Sequence, residues 1–425
     1  MSDIYSDLSW RGLIHQSTAD DVLPGWLREK SRTVYAGFDP TADSLHVGSL
    51  MPLMMLRRFQ KAGHRPIALA GGATGMIGDP SGKSAERNLL STDELEKNLQ
   101  GIESQMRAIL DFDCGNHPAL LVDNNEWMKS FSYIEFLRDV GKNFPVNVMM
   151  QKESVKSRLS SEAGLSYTEF SYMLLQAYDF AHLHKAYGCE LQVGGSDQWG
   201  NVTAGIDLGR RMLGAQLYGL TCPLLTKADG SKMGKTESGA IWLSAEKTSP
   251  YAFYQYWVNV ADEDVGMCLR FLTELEHDEI TSLDASRRDR AHERESQKRL
   301  AEEITQLIHG PDGLVKAQRA TEVFFGAEIS DLTDHDLTQI FDDVPSAQVD
   351  FEALDAGIAL IDAWVDAGLA KSKGEARRTI AQGGAYVNNR RVDKPDSILL
   401  RGDLASESVI VLRSGRRKYA LLRFS

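Results

Sequence analysis

Cysteine is scarce in this chain of 425 residues. Cys114, Cys189, Cys222 and Cys268 are scattered, and no two lie at a spacing that frames a zinc site or a disulfide scaffold. No apolar run approaches the roughly 20 residues that a membrane helix requires. The opening stretch, Met1 to Asp7, has neither the basic-then-apolar build of a secretory signal nor the Arg-rich character of a transit peptide. Internal repeats and low-complexity tracts are missing too. These absences predict a reduced cytoplasmic protein with no membrane association and no protein-bound structural metal. What is there is ordinary for a globular chain: 42% hydrophobic and 25% charged residues, enough for two or three domains with a substantial core.

Basic charge is unevenly spread. The formal net charge is −13, yet residues 366–425 carry thirteen Lys/Arg against six Asp/Glu, a net of +7, which leaves the first 365 residues at −20. A basic tail on an acidic body points to nucleic acid as a partner of the tail.

Residues 32–225 alternate between apolar strand patterns (Thr33–Phe38, Pro66–Ala70, Ala119–Asp123 and Glu190–Gly194) and amphipathic helical ones. That alternation predicts an α/β fold around a mostly parallel sheet, with ligands at the carboxyl ends of the strands. Asp39, Gly71-Gly72, Asn124 and Gly195 follow those ends. The expected division is a catalytic Rossmann-like domain over residues 1–248, a charged α-helical domain over 249–325, an acidic linker over 326–352, and a small α+β domain over 353–425.

Two short stretches read as halves of one phosphate-binding device. In the first, Asp39 to Ser49, a strand runs in and the amphipathic stretch Leu50–Lys61 leaves, so His46 and Gly48 open a helix whose backbone N–H groups favour phosphate oxygens. Thr41 lies within reach of the same helix start. The second, Lys232-Met233-Gly234-Lys235-Thr236, follows an Asp229-Gly230-Ser231 turn and offers two lysines on a Gly-containing loop. Between them, Gly71 to Ser84 resembles a P-loop but fails by one residue: a first glycine is needed five positions before Gly82, and Ile77 stands there. Gly82 to Arg87 reads instead as a basic loop that presents Lys83 and Arg87 to a pyrophosphate. On the helical pattern Tyr167–Ala186, Tyr172, Gln176 and Asp179 recur at i, i+4 and i+7, which places a hydroxyl, an amide and a carboxylate on one face.

The two phosphate stretches resemble the paired signatures of class I aminoacyl-tRNA synthetases. The flanking text, Tyr35 to Thr41 and Gly194 to Asn201, is similar to that of bacterial tyrosyl-tRNA synthetases, and the similarity covers almost the whole chain. Ser49 departs from it, standing where the family usually has a second histidine. The resemblance implies a ligase that activates L-tyrosine with ATP and Mg²⁺ and then charges tRNA(Tyr). It also implies a homodimer with residues 125–170 at its interface. Tyrosine would lie against Tyr35 and Asp179 (phenol end) and Asp79, Tyr172 and Gln176 (ammonium end), with Asp39, Gln192 and Gln198 nearby. ATP would meet Gly37, His46, Gly48, Ser49, Gly195, Asp197 and Lys235. Thr41, His46, Lys83, Arg87, Lys232, Lys235 and Thr236 would serve the transferring phosphates. Lys371, Lys373, Arg377, Arg378, Arg390, Arg391, Arg416, Arg417 and Lys418 would form the tRNA footprint of the tail. A tryptophan-specific relative, a small-molecule nucleotidyltransferase and a non-catalytic RNA-binding protein on the same fold are the alternatives.

Overall fold

A computed structural model describes residues 3–81, 90–160, 164–236, 239–329, 332–341, 344–415 and 418–425, with Lys235 and Thr236 described in backbone only. The chain forms two compact units: Met1–Lys247 with Val260–Leu300, and Thr248–Asn259 with Ala301–Ser425. The expected helical domain over 249–325 is therefore divided between them.

The first unit is built on a six-stranded sheet. Its strands are β1 (Gln16–Ser17), β2 (Thr33–Phe38), β3 (Arg65–Ala70), β4 (Leu120–Asp123), β5 (Cys189–Gly195) and β6 (Tyr218–Cys222). The order is β1-β6-β5-β2-β3-β4, all parallel except β1, which runs antiparallel to β6. From β2 the chain builds outward through β3 and β4 on one side and later through β5 and β6 on the other. The crevice between β2 and β5 is thus the topological switch point where an open α/β sheet receives ligands. Tyr35 on β2 and Gln192 on β5 are paired in register across it. A buried cluster of Ile67, Leu69, Val122, Phe180, Leu183 and Leu217 supports that end of the sheet.

The helix Tyr167–Tyr187 starts where Ser166 accepts from Glu169 N–H and stops at Gly188, whose φ of 64° a side chain would resist. A buried Arg158–Glu169 pair at 2.7 Å fixes its first turn.

In the second unit, one two-stranded ladder aside, five strands form one sheet. After β7 (Lys235–Thr236) and β8 (Gly239–Ala240) of the first unit come β9 (Ser346–Val349), β10 (Ile358–Ala359), β11 (Ala385–Val387), β12 (Arg390–Val392), β13 (Ile398–Leu399), β14 (Val409–Ser414) and β15 (Lys418–Phe424). The five-stranded order is β12-β11-β14-β15-β9, and the β11–β12 hairpin turns on Asn388 and Asn389, both with positive φ. Both faces of this sheet are covered. Ile410, Leu412, Ala420 and Leu422 meet helices Leu360–Asp366 and Lys373–Ala381 on one side. Val409, Val411, Tyr419 and Leu421 meet Ile329, Leu332, Leu337, Ile340 and Phe341 on the other. Residues 326–352 are consequently no linker. They contain helix Asp334–Ile340 and strand β9, because alternating strands that are apolar on both faces need a second cover.

Candidate active site

One cavity of about 350 Å³ opens at the switch point, within the first unit. It gathers Tyr35, Gly37, Asp39, Thr41, His46, Gly48, Ser49, Asp79, Tyr172, Gln176, Asp179, Gln192, Gly195, Asp197, Gln198 and Lys232. Residues from five separate segments thus converge where the sequence placed them. Lys83, Arg87, Arg416 and Arg417 lie outside the described residues, as do the side chains of Lys235 and Thr236.

The deep end is a hydrogen-bonded network of polar groups. Tyr172 OH donates to Asp39 Oδ2 (2.8 Å), and Thr74 Oγ1 donates to Asp39 Oδ1 (2.7 Å). Asn124 Nδ2 donates both to Thr74 Oγ1 and to Asp179 Oδ2, each at 3.0 Å, and Trp127 Nε1 donates to Asp179 Oδ1 (2.9 Å). Asp79 accepts from Gln198 Nε2 (2.7 Å) and from Ser81 N–H (2.9 Å). The backbone comes close to this network without side chains of its own: a Cβ on Gly71 would lie 2.2 Å from Asp39 Oδ1. Thr74, Asn124 and Trp127 were not assigned roles from the sequence. Asn124 was marked by its place after β4, whereas nothing in the local pattern marks Trp127.

Burial pushes the Asp179 carboxyl up to about 8, against the pull of its two hydrogen bonds and with help from the charges of Asp39 and Asp123. Burial also holds the phenols of Tyr35 and Tyr172 far above their ordinary range, so both are neutral donors and acceptors. Three atoms in this end are buried with no hydrogen-bond partner among the described residues: Tyr35 OH, Gln176 Oε1 and Gln192 Oε1. Buried polar groups are normally satisfied, and these three share one cavity, so a ligand entering it could pair with all of them. The carboxylates of Asp39 and Asp79, on the same cavity wall, suit a cation on such a ligand.

The outer end is made by the two signature stretches, which the backbone laces together. Val47 N–H donates to Ile241 O (3.0 Å), Ile241 N–H to Gly234 O (2.8 Å) and Leu243 N–H to Leu45 O (2.9 Å). Gly234, at φ 84°, approaches so closely that a Cβ would sit 2.9 Å from Val47 Cβ. Gly48 likewise makes room for the His46 ring, whose Cε1 would be 2.8 Å from a Cβ there. One expectation is corrected. The N–H groups of the helix start do not all point outward, because a tight 3₁₀ turn, Val47–Ser49, capped by His46, precedes Leu50–Lys61. Within it Ser49 N–H donates to His46 O and Leu50 N–H to Val47 O, so these donors and that of Val47 are engaged. The outer end therefore presents side chains more than backbone N–H groups, among them exposed His46, Thr41 and Lys232.

On the tail, Lys371, Lys373, Arg377, Arg378, Arg390, Arg391 and Lys418 are all exposed. Lys373 is paired with Asp362 (2.7 Å) and Arg390 with Glu328. Among the described residues no group of three or more His, Cys, Asp or Glu could hold a metal ion, and no helix is long and apolar enough to cross a membrane.

The family model of class I tRNA synthetases (W and Y) matches residues 27–326, and that of the tyrosine–tRNA ligase SYY-like C-terminal domain matches residues 336–422. A tyrosine–tRNA ligase of Rhodopirellula baltica is 60% identical over 99% of this chain and 96% of its own length. One of Roseiflexus castenholzii is 51% identical over the whole of both. Among solved structures, a C-terminally truncated mitochondrial tyrosyl-tRNA synthetase of Aspergillus nidulans superposes with a TM-score of 0.68 at 31% identity, over 76% of this chain and 95% of that one. The cavity at the switch point, its two laced signature stretches and these matches along the whole sequence agree: the chain belongs to the class I tRNA synthetases, in the tyrosine–tRNA ligase family.

Proposed function

We propose the following division of labour in the cavity of this aminoacyl-tRNA ligase. L-Tyrosine enters phenol first, its OH meeting Tyr35 and Asp179. Its ammonium group lies among Asp79, Tyr172 and Gln176, with Asp39 holding Tyr172 in place and Gln192 beside the substrate. The observation that carries this reading is the set of three buried orphans, Tyr35 OH, Gln176 Oε1 and Gln192 Oε1, around one cavity. Gln198 lies where the substrate carboxylate and the α-phosphate of ATP meet, Asp197 at the ribose, and Gly37, Gly48, Ser49 and Gly195 leave space for the nucleotide. Thr41, His46 and Lys232 take the outer phosphates; Lys83, Arg87, Lys235 and Thr236 join them by the family resemblance.

The chemistry asks little of acid–base groups. A carboxylate oxygen of tyrosine attacks the α-phosphorus, the bond to the bridging oxygen breaks, and its electron pair leaves with pyrophosphate. The protein aligns the two reactants and places positive charge at the leaving group. Mg²⁺, arriving on the phosphate oxygens of ATP, supplies further neutralisation there. A terminal ribose hydroxyl of tRNA(Tyr) then attacks the carbonyl carbon of the adenylate, and AMP leaves.

Rejection of phenylalanine follows from one of these orphans, since without a substrate hydroxyl the buried Tyr35 OH stays unpaired. The basic tail docks the tRNA, and the cytoplasm is the compartment that this activity implies. A homodimer completes the reading. Tyr133, Ile134, Val146 and Tyr167 are 58–68% exposed on one stretch of the first unit, an apolar surface suited to a second copy. Exchange of labelled pyrophosphate into ATP, run with each amino acid in turn, tests the assignment. Exchange with L-tyrosine and scarcely with phenylalanine or tryptophan is expected; comparable exchange with tryptophan refutes it.

A further inference from the structure

Helix Asp262–Leu272 touches the second signature stretch at Met233 and the loop leading into it at Ala228. The Asp264 carboxylate, almost wholly buried, accepts a hydrogen bond from Ala228 N–H at 2.7 Å. One turn along the same face, Cys268 Sγ lies 3.4 Å from the sulfur of buried Met233. Between these points the chain folds back on itself. Lys227 N–H donates to Ser231 O, Gly230 N–H to Lys227 O, and Met233 N–H to Leu225 O, so Ala228 stands at the tip of a tight loop and Lys232 on its returning arm. An acidic residue in the first turn of a helix ordinarily serves the N–H groups of its own helix. Here an oxygen of Asp264 is turned outward to the loop.

We infer that Asp264 is a positioning residue for adenylate formation: by holding Ala228, and with Cys268 holding Met233, it sets where Lys232 meets the phosphates. This rests on the reading of Lys232–Thr236 as a phosphate loop. Ala228 is exposed, so its N–H finds water when the carboxylate is removed. The loss then falls on the loop's position and not on an unpaired buried donor. A lysine reaching a transferring phosphate from a loop that wanders is misplaced for part of the time, and small misplacements slow phosphoryl chemistry steeply.

The experiment compares Asp264→Ala, Asp264→Asn and Lys232→Ala in the full chain. Equilibrium dialysis measures tyrosine affinity and the number of sites, and single-turnover kinetics over a range of ATP measures adenylate formation. Asp264→Ala should bind tyrosine with unchanged affinity and stoichiometry while forming adenylate roughly tenfold more slowly. Asp264→Asn, whose side-chain oxygen still accepts from Ala228, should recover most of that rate. If Asp264→Ala reacts normally while Lys232→Ala is slow, the inference falls and the phosphate-loop reading stands. If Lys232→Ala also reacts normally, that reading falls and takes the inference with it. Loss of tyrosine sites in proportion to rate would make Asp264 a purely structural residue, and an Asn variant as slow as the Ala variant would also overturn the inference.

Discussion

Tyr35→Phe isolates a single atom whose role differs between the empty and the occupied site. The hydroxyl it removes is buried and has no partner among the described residues, and the phenol is held neutral by burial and by Asp179. In the empty protein the group therefore contributes no hydrogen bond, and removing it should leave the melting temperature unchanged or slightly higher. With tyrosine bound it becomes one neutral hydrogen bond, worth about 0.5–1.5 kcal/mol. At about 1.4 kcal/mol per decade, tyrosine affinity should drop by about 2- to 12-fold. Phenylalanine has no hydroxyl to lose, so its affinity should hold or improve and the ratio between the two amino acids should shrink by a similar factor. Equilibrium dialysis with both ligands, beside a thermal melt of the free protein, gives all three quantities. A clear fall in melting temperature with unchanged tyrosine affinity would make the hydroxyl a structural group and refute the reasoning.

Asp179→Asn should flatten the pH dependence of stability. The folded protein holds a proton on Asp179 up to about 8 where the unfolded chain releases it near 3.8, so raising pH across that interval costs stability, and the cost levels off above it. Melts from about pH 5 to about pH 8 should therefore slope less in the variant, and equal slopes would contradict the burial assigned to the carboxylate. Gly48→Ala puts a methyl group 2.8 Å from His46 Cε1, so adenylate formation should slow by roughly tenfold with tyrosine affinity intact. Loss of tyrosine binding instead would place His46 at the wrong end of the cavity. Ending the chain at Phe325 should give a more soluble protein than ending it at Val344, because the longer piece keeps Ile329, Leu332, Leu337, Ile340 and Phe341 without the sheet that buries them. Light scattering of the two decides it, and the opposite ranking would mean that those side chains find other cover.

Much of the first unit was legible because its signals are local. Thr33–Phe38 and Leu50–Lys61 begin and end where apolar periodicity does, and the one-face spacing of Tyr172, Gln176 and Asp179 survives intact. Strand Tyr218–Cys222 escaped notice because a short, wholly buried run containing Gly219 and Thr221 shows neither alternation nor an unbroken apolar stretch. Residues 326–352 misled by their average acidity, although their few apolar side chains are the ones the sheet needs. The supports of Asp179 were illegible for another reason. Asn124 and Trp127 act across more than fifty residues of sequence, and only the sheet brings them to the carboxylate. The engaged N–H groups at Val47 and Ser49 depend on a partner strand segment and on a 3₁₀ turn that the helical pattern conceals.

The interleaving of the two units sets a timetable for a chain made from its N-terminus. Thr248–Asn259 belongs to the second unit, whose remaining residues begin at Ala301, while Val260–Leu300 belongs to the first. At roughly 5–20 residues per second, translation takes roughly 2–9 s to pass from Trp257 to Ala301, so Phe253, Tyr254 and Trp257 have only one another for cover until the rest of their unit is begun. During that interval three large aromatic side chains, all destined for burial, are on offer to whatever is nearby. The newborn chain thus carries uncovered aromatic surface while its first unit is being finished and its tail has yet to be made.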